Sequence, residues 1–295
     1  MTVDAIGRVA LAAGLTLALA GLPLPARSQT ASNPAASPAA APSVAATSAE
    51  DAGVGARKPR LLLVPESSVN NAAAQQYAQM LRQAQSRGAL NGNAAQVRRV
   101  REITARLVPL GVRFNPAAAR WRWEVNVIDA QQINAFCMPG GKIVVFAGLI
   151  DRLKLSDDEL AAVIGHEIAH ALLEHGRARM SEQVLKSVGL NLAAAYFGLS
   201  DASAVLLGQA AQVAITLPYS RGHETDADLV GLELSARAGF DPRAAVTLWR
   251  KMAAASAGQP PQFLSTHPGH AQRIGAIERA LPAVLPLYER AARGR

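Results

Sequence analysis

The sequence predicts an α+β fold that is mostly helical, with one small antiparallel sheet lying beside a central helix. Three observations carry this expectation. Apolar residues recur at helical spacing through most of the chain beyond Asn71. One stretch, Trp121 to Ile128, alternates instead with the period of a strand, and two further strand-like runs joined by Pro-Gly-Gly follow it. Of the 295 residues, 50% are hydrophobic but only 4% aromatic, so the core must be built from Ala, Leu, Val and Ile, with enough apolar mass for one sizeable core or two small ones.

Taken in order, residues 1–28 read as a secretory signal peptide. Arg8 closes a short n-region, Val9 to Ala20 is apolar, Pro23 and Pro25 break the run, and Ala26-Arg27-Ser28 offers small residues for cleavage. This points to the periplasm, with an uncleaved N-terminal anchor as the alternative. No cysteine follows the run, which excludes lipid attachment there. Residues 29–57 are dominated by Ala, Pro, Ser, Thr and Gly and read as a disordered linker. The folded domain is expected over 58–295.

Arg60 to Pro65 looks like a short strand stopped by proline. Helices follow over Asn71–Ser86 and Ala94–Val108; in the second, Val97, Val100, Ile103 and Leu107 mark the buried face, and Arg98, Arg99 and Arg101 read as a solvated one. Trp121 to Ile128 is a half-buried strand. Asn134 to Met138 and Lys142 to Ala147, joined through Pro139-Gly140-Gly141, read as a hairpin. Ser156-Asp157-Asp158-Glu159 is a capping box opening a helix that runs to about Glu174. Residues 183–217 suggest a buried helical hairpin split near Gly198, with a membrane-touching or dimerising hairpin as the alternative. Further helices are expected over Ser220–Ala238, from Asp241-Pro242 to Ala255, and from Gly269 to Leu281, with Pro282 and Pro286 interrupting the tail.

The net charge is +8 and the pI about 10.2, but the basic residues are scattered, without a long run or aromatic interleaving. Nucleic-acid binding is therefore not expected; acidic lipid or envelope polymers fit such a surface better, and a peripheral membrane contact stays open. The single cysteine, Cys137, precludes an intramolecular disulfide and reads as a buried apolar side chain.

The chemistry concentrates in His166-Glu167-Ile168-Ala169-His170. Side chains four apart share a helix face, so His166 and His170 can reach one Zn²⁺, with Glu167 placed to take a proton from water that the ion has acidified. A hydrolytic zinc site adds a third protein ligand. The best donor is Glu224, which shares a face with Asp228; the aspartate could accept a hydrogen bond from a ligand histidine, or both could be surface carboxylates.

The chain resembles metallopeptidase family 48, the HtpX-like and CAAX-prenyl-protease-like zinc metallopeptidases, in its soluble bacterial periplasmic branch. The likeness rests on Asn134-Ala135-Phe136 with its Pro-Gly-Gly turn, His166-Glu167-x-x-His170, Ser220-Arg221-x-x-Glu224-x-x-Ala227-Asp228, and Ser265-Thr266-His267-Pro268 followed by Arg273-Ile274. It implies a gluzincin-like fold whose cleft edge is the strand carrying Asn134 and Ala135 or the one at Lys142 to Ala147, pairing with extended polypeptide. It also implies one Zn²⁺ per chain on His166, His170 and Glu224, Glu167 as the base, and Asp228 behind the ligands. His267 is a structural loop residue, an oxyanion donor, or a fourth zinc ligand that keeps the enzyme latent. His175 is expected in solvent, His223 on a different helix face from Glu224 and His270 at the surface, and Arg221 and Arg273 are expected to brace buried carboxylates or backbone carbonyls rather than touch substrate. The expected function is an endopeptidase acting on unfolded or misassembled envelope proteins, the alternative a largely latent protease serving as a chaperone or assembly factor. Oligomeric state and the identity of the substrates are not legible.

Overall fold

The computed structural model describes residues 60–196, 219–255, 262–268 and 270–294. The expected signal peptide, the linker and the second half of the 183–217 hairpin lie outside them. Helix α1 (Glu66–Ser86) and helix α2 (Ala94–Leu107) lead through two 3₁₀ turns into strand β1 (Glu124–Ile128). Strands β2 (Ala135–Met138) and β3 (Lys142–Phe146) form the hairpin. Helices α3 (Ala147–Leu153), α4 (Asp157–Leu172), α5 (His175–Tyr196), α6 (Arg221–Arg237), α7 (Ala244–Ala254), α8 (Gln262–Thr266) and α9 (His270–Arg293) complete the described chain. Among the described residues no helix is long and apolar enough to cross a membrane.

The sheet order is β1-β3-β2. The hairpin is antiparallel as expected, Ala135 facing Val145, but β1 runs parallel to β3, so the sheet is mixed. The reason is connectivity: the segment between β1 and β2 carries the chain past β3's position, so β3 fills the centre. Its Lys142 to Val145 are all buried, and β2 is left at an edge. Alternation then serves two cores. Val127, Ala135, Cys137, Ile143 and Val145 face the main core with α4, while Ile128, Met138 and Val144 face α1 around Tyr77.

Two other expectations are corrected. The segment at Arg60 to Pro65 joins no sheet: the amides of Leu63 and Val64 donate to Ser181 Oγ on α5, and Arg177 donates to the Val64 carbonyl. Helix α9 runs through Pro282 and Pro286 to Arg293. Both prolines are exposed and four apart, so the missing donors fall on one solvent-facing side, while Ile277, Ala280 and Val284 remain buried on the other.

Helix α4 is buried from Glu159 to Leu172. Its start is held by the predicted capping box, Ser156 Oγ accepting from the Glu159 amide at 3.2 Å and Glu159 Oε2 from the Ser156 amide at 2.9 Å. Arg98 and Arg101 are exposed, but Arg99 reaches the same end and donates to the Leu155 carbonyl and to Asp157. Against α4 lies α6, crossing backbone to backbone: a Cβ on Gly231 would stand 2.8 Å from the amide nitrogen of His166. Arg106 closes the far end of α6 by donating to the carbonyls of Ala238 and Gly239. The close crossing brings two chemistry-bearing helices within reach of one ion.

Candidate metal centre

Four side chains meet in the buried space between α4, α6 and the end of α8. His166 and His170 come one turn apart on α4, Glu224 from the first turn of α6, and His267 from the residue after α8. All four are buried, at 3% exposure or less. His166 Nε2 lies 3.1 Å from His170 Nε2 and 3.3 Å from His267 Nδ1. Glu224 Oε1 lies 3.0 Å from His267 Nδ1 and 3.5 Å from His170 Nε2. An ion held tetrahedrally at about 2.0–2.1 Å keeps its ligand atoms about 3.3 Å apart, so these spacings fit one. The donor set agrees: ring nitrogens facing one another and a carboxylate at such distances match a cation's ligands better than a hydrogen-bond network, in which every close pair needs one donor.

Glu167 lies beside this set. Its Oε1 is buried without a hydrogen-bond partner among the described residues, 3.5 Å from Nε2 of His267. Burial pushes its carboxyl above the usual range, against the nearby His267 and His166. The His267 ring is thus set between two carboxylates, Nδ1 toward Glu224 and Nε2 toward Glu167. It is stacked on Phe263 with ring centres 4.4 Å apart, and its amide donates to the Phe263 carbonyl.

Behind His166 stands Asp228, its Oδ1 3.1 Å from His166 Nδ1. Arg273 of α9 grips the aspartate with two donors, each at 2.7 Å, and reaches Glu224 Oε2 with its remaining nitrogen at 2.5 Å. Its guanidinium lies 3.7 Å over the Trp249 ring. Burial raises both carboxyls, but Arg273 overcomes it at Asp228, held down at about 2, and His267 with His166 and Arg273 does so at Glu224. Arg273 therefore braces buried carboxylates, as its position in the sequence suggested; Arg221 is an exposed residue at the start of α6.

Behind His170 the support differs. Helix α4 ends at Leu172, Glu174 turns through a left-handed φ of 54°, and α5 begins at His175. The break swings His175 back over the site, where its Nδ1 lies 2.9 Å from His170 Nδ1. His175 was expected in solvent; it is fully buried. His223, also expected to point elsewhere, stacks on it at 4.3 Å and 18°. Tyr219 packs its ring 3.9 Å from that of His170 and ties its amide to the Thr266 carbonyl. His175 is not legible because the helix break at a non-glycine residue leaves no sequence signal, and His223 and Tyr219 reach it only through the tertiary approach of α6, although histidines do crowd after His170 and before Glu224. The side chain of His270 lies outside the described residues.

Asn134 and Ala135 lie at the start of the edge strand β2, next to α4. Asn134 accepts the Phe146 amide through its carbonyl, and Ala135 is buried against the core. Cys137 is a buried free thiol, raised well above its ordinary value by burial and Glu167.

A helix that carries two histidines and a glutamate, crossed by a second helix that brings another carboxylate, defines a metal-dependent hydrolase of the HExxH class. Comparison with known proteins narrows this. Residues 94–281 match the model of Peptidase family M48, and the chain belongs to that family. It is 42% identical over 163 residues to the mitochondrial metalloendopeptidase OMA1 of Schizosaccharomyces pombe, covering 55% of this chain and 47% of that one. It is 33% identical over 180 residues to the beta-barrel assembly-enhancing protease of Yersinia pestis, covering 56% and 36%, and 31% identical over 160 residues to metalloprotease LoiP of Escherichia coli, covering 54% and 62%. The chain therefore spans between about a third and two thirds of the length of these relatives.

Proposed function

We propose that this protein is a zinc-dependent endopeptidase of the periplasm, with one Zn²⁺ per chain, hydrolysing peptide bonds of unfolded or misassembled envelope proteins. The observation that carries the reading is the convergence of His166, His170, Glu224 and His267 beside the buried Glu167, whose Oε1 has no hydrogen-bond partner among the described residues. When bound, the ion acidifies water and polarises a carbonyl. Glu167, raised by burial, is suited to take a proton from the attacking water and return it to the leaving amine. The extended substrate would pair with β2, the edge strand nearest α4, which supplies affinity through backbone bonds with little demand on sequence. The envelope assignment draws on the N-terminal signal-like sequence and on the name of the Yersinia relative.

Glu167→Gln should leave folding and zinc content intact while lowering casein cleavage by at least about 100-fold. Cleavage at wild-type rate by that variant, free of contaminants, removes the assignment. Chelation should abolish activity and added zinc restore it.

A second reading concerns regulation, and one observation favours it: His267 Nδ1 stands among the ligand atoms rather than beside them. Four ligands satisfy zinc, so a histidine at the end of the short α8 would hold the site latent until it withdraws. His267→Ala should then raise basal cleavage. If instead cleavage drops while zinc is retained, His267 is an oxyanion donor; if nothing changes, it is structural. Protection of unfolded clients by the Glu167→Gln protein would support the chaperone alternative.

A further inference from the structure

Among the described residues His170 is supported by neither of the partners usual for a metal-bound histidine. Such a ligand commonly donates its second ring N–H to a carboxylate or a backbone carbonyl. His166 follows the rule through Asp228. His170 meets another imidazole, Nδ1 of His175, at 2.9 Å. We propose that His175 is a positioning residue for the metal centre, accepting the Nδ1–H of His170 and so holding its Nε2 lone pair toward the ion, with His223 stacked behind it to fix its ring.

The protonation pattern follows from counting donors. His170 Nε2 faces His166 Nε2 at 3.1 Å, so if it is to bind a cation its proton must sit on Nδ1. That N–H needs an acceptor, and the only ring atom of His175 within reach is Nδ1. His175 must then be neutral and carry its proton on Nε2, which is buried and has no hydrogen-bond partner among the described residues. A neutral acceptor leaves the charge of the donor set unchanged, where a carboxylate here would add a negative charge beside Glu224 and Glu167. The ring has little freedom to turn away: His223 lies parallel to it at 4.3 Å and 18°, and Tyr219 packs at its edge 6.2 Å away. The break at Glu174 that starts α5 is what delivers it there.

The inference rests on the metal reading of the site, and the two can fail separately. His175→Phe keeps a ring to stack on His223 but has no acceptor; His175→Asn restores an acceptor close to the position of Nδ1. In the full chain, zinc affinity measured by competition with a chromophoric chelator should fall by about 10–100-fold in His175→Phe and recover to within about threefold in His175→Asn. The visible spectrum of the Co²⁺-substituted protein should shift in the first variant and return in the second. Wild-type zinc affinity and an unchanged cobalt spectrum in a folded His175→Phe protein would overturn the inference. Should that variant not fold, the wild-type zinc-loaded protein still decides: long-range ¹H–¹⁵N correlation of the histidine rings should show His175 protonated at Nε2, and a proton on its Nδ1 would refute the relay. Loss of zinc in His166→Ala, alongside a silent His175→Phe, sinks the relay alone; zinc binding that is absent from the wild type sinks the metal reading beneath it.

Discussion

The two ligand histidines share one helix and are backed in opposite ways. Behind His166 stands a charged wall, Asp228 and Arg273, brought by α6 and α9 and closed by Trp249. Behind His170 stands a neutral one, His175, His223 and Tyr219, brought by the start of α5 and the approach to α6. The charged wall is held by two hydrogen bonds and ion pairs between Arg273 and the two carboxylates, and its members cannot be separated without leaving a buried charge. The neutral wall is held by stacking and one imidazole bond, with the Arg179 guanidinium lying 3.7 Å over the ring of its outer member, Tyr219. One wall should matter to folding and the other chiefly to the metal, because an uncompensated buried charge costs far more than an unpaired imidazole.

Arg273→Ala tests the first half. It leaves Asp228 and Glu224 buried without their guanidinium and empties the space over Trp249, and should lower unfolding stability by about 3–5 kcal/mol in urea titrations of the metal-free chain. His175→Phe in the same titration should lose no more than about 1–3 kcal/mol. Equal losses would mean that the walls do not differ in kind.

The next largest effect should come from the crossing on which both walls depend. Gly231→Ala sets a methyl 2.8–2.9 Å from the backbone of Gly165 and His166, which the packed helices can accept only by moving apart. The expected loss is about 1–3 kcal/mol, with weaker zinc binding because Glu224 retreats from the histidines. Stability that falls while zinc affinity stays at the wild-type value would show that the donor set is not positioned by this crossing.

How far the sequence announces this arrangement differs between the walls. The charged wall is legible: Glu224 and Asp228 are four apart on a helix with its own cap, and Arg273 follows the Ser-Thr-His-Pro motif. The hairpin and the capped α4 are legible for the same reason, since local spacing and turn chemistry decide them. The neutral wall is not. Periodicity carried α4 onward to Glu174 and put His175 round its far side, whereas a left-handed residue without glycine ends the helix and reverses the side chain. The parallel pairing of β1 escaped notice because strand order is set by a chain crossing that local alternation does not record. The continuation of α9 through two prolines depended on which face they occupy, which is a property of the packed helix.

The smallest expected effect isolates α4 itself from both walls. Glu159 closes the capping box, and it also accepts from Thr247 and pairs with Lys251 of α7. Burial raises its carboxyl, but the Lys251 contact and the bonds from Ser156 and Thr247 overcome this, and the carboxyl ends below its ordinary value. A depressed folded-state pKa means that the carboxylate stabilises the fold fully above its unfolded pKa, about 4.3, and ceases to do so as pH falls through the folded value. Glu159→Gln should therefore cost about 1 kcal/mol at pH 7, and the gap from wild type should narrow in thermal or urea unfolding below about pH 4. Glu159 stands seven residues ahead of His166 and touches none of the ligands, so zinc affinity should stay within about twofold. A large drop in affinity would mean that the start of α4 positions the metal site, and that the two walls act on a helix less rigid than its burial implies.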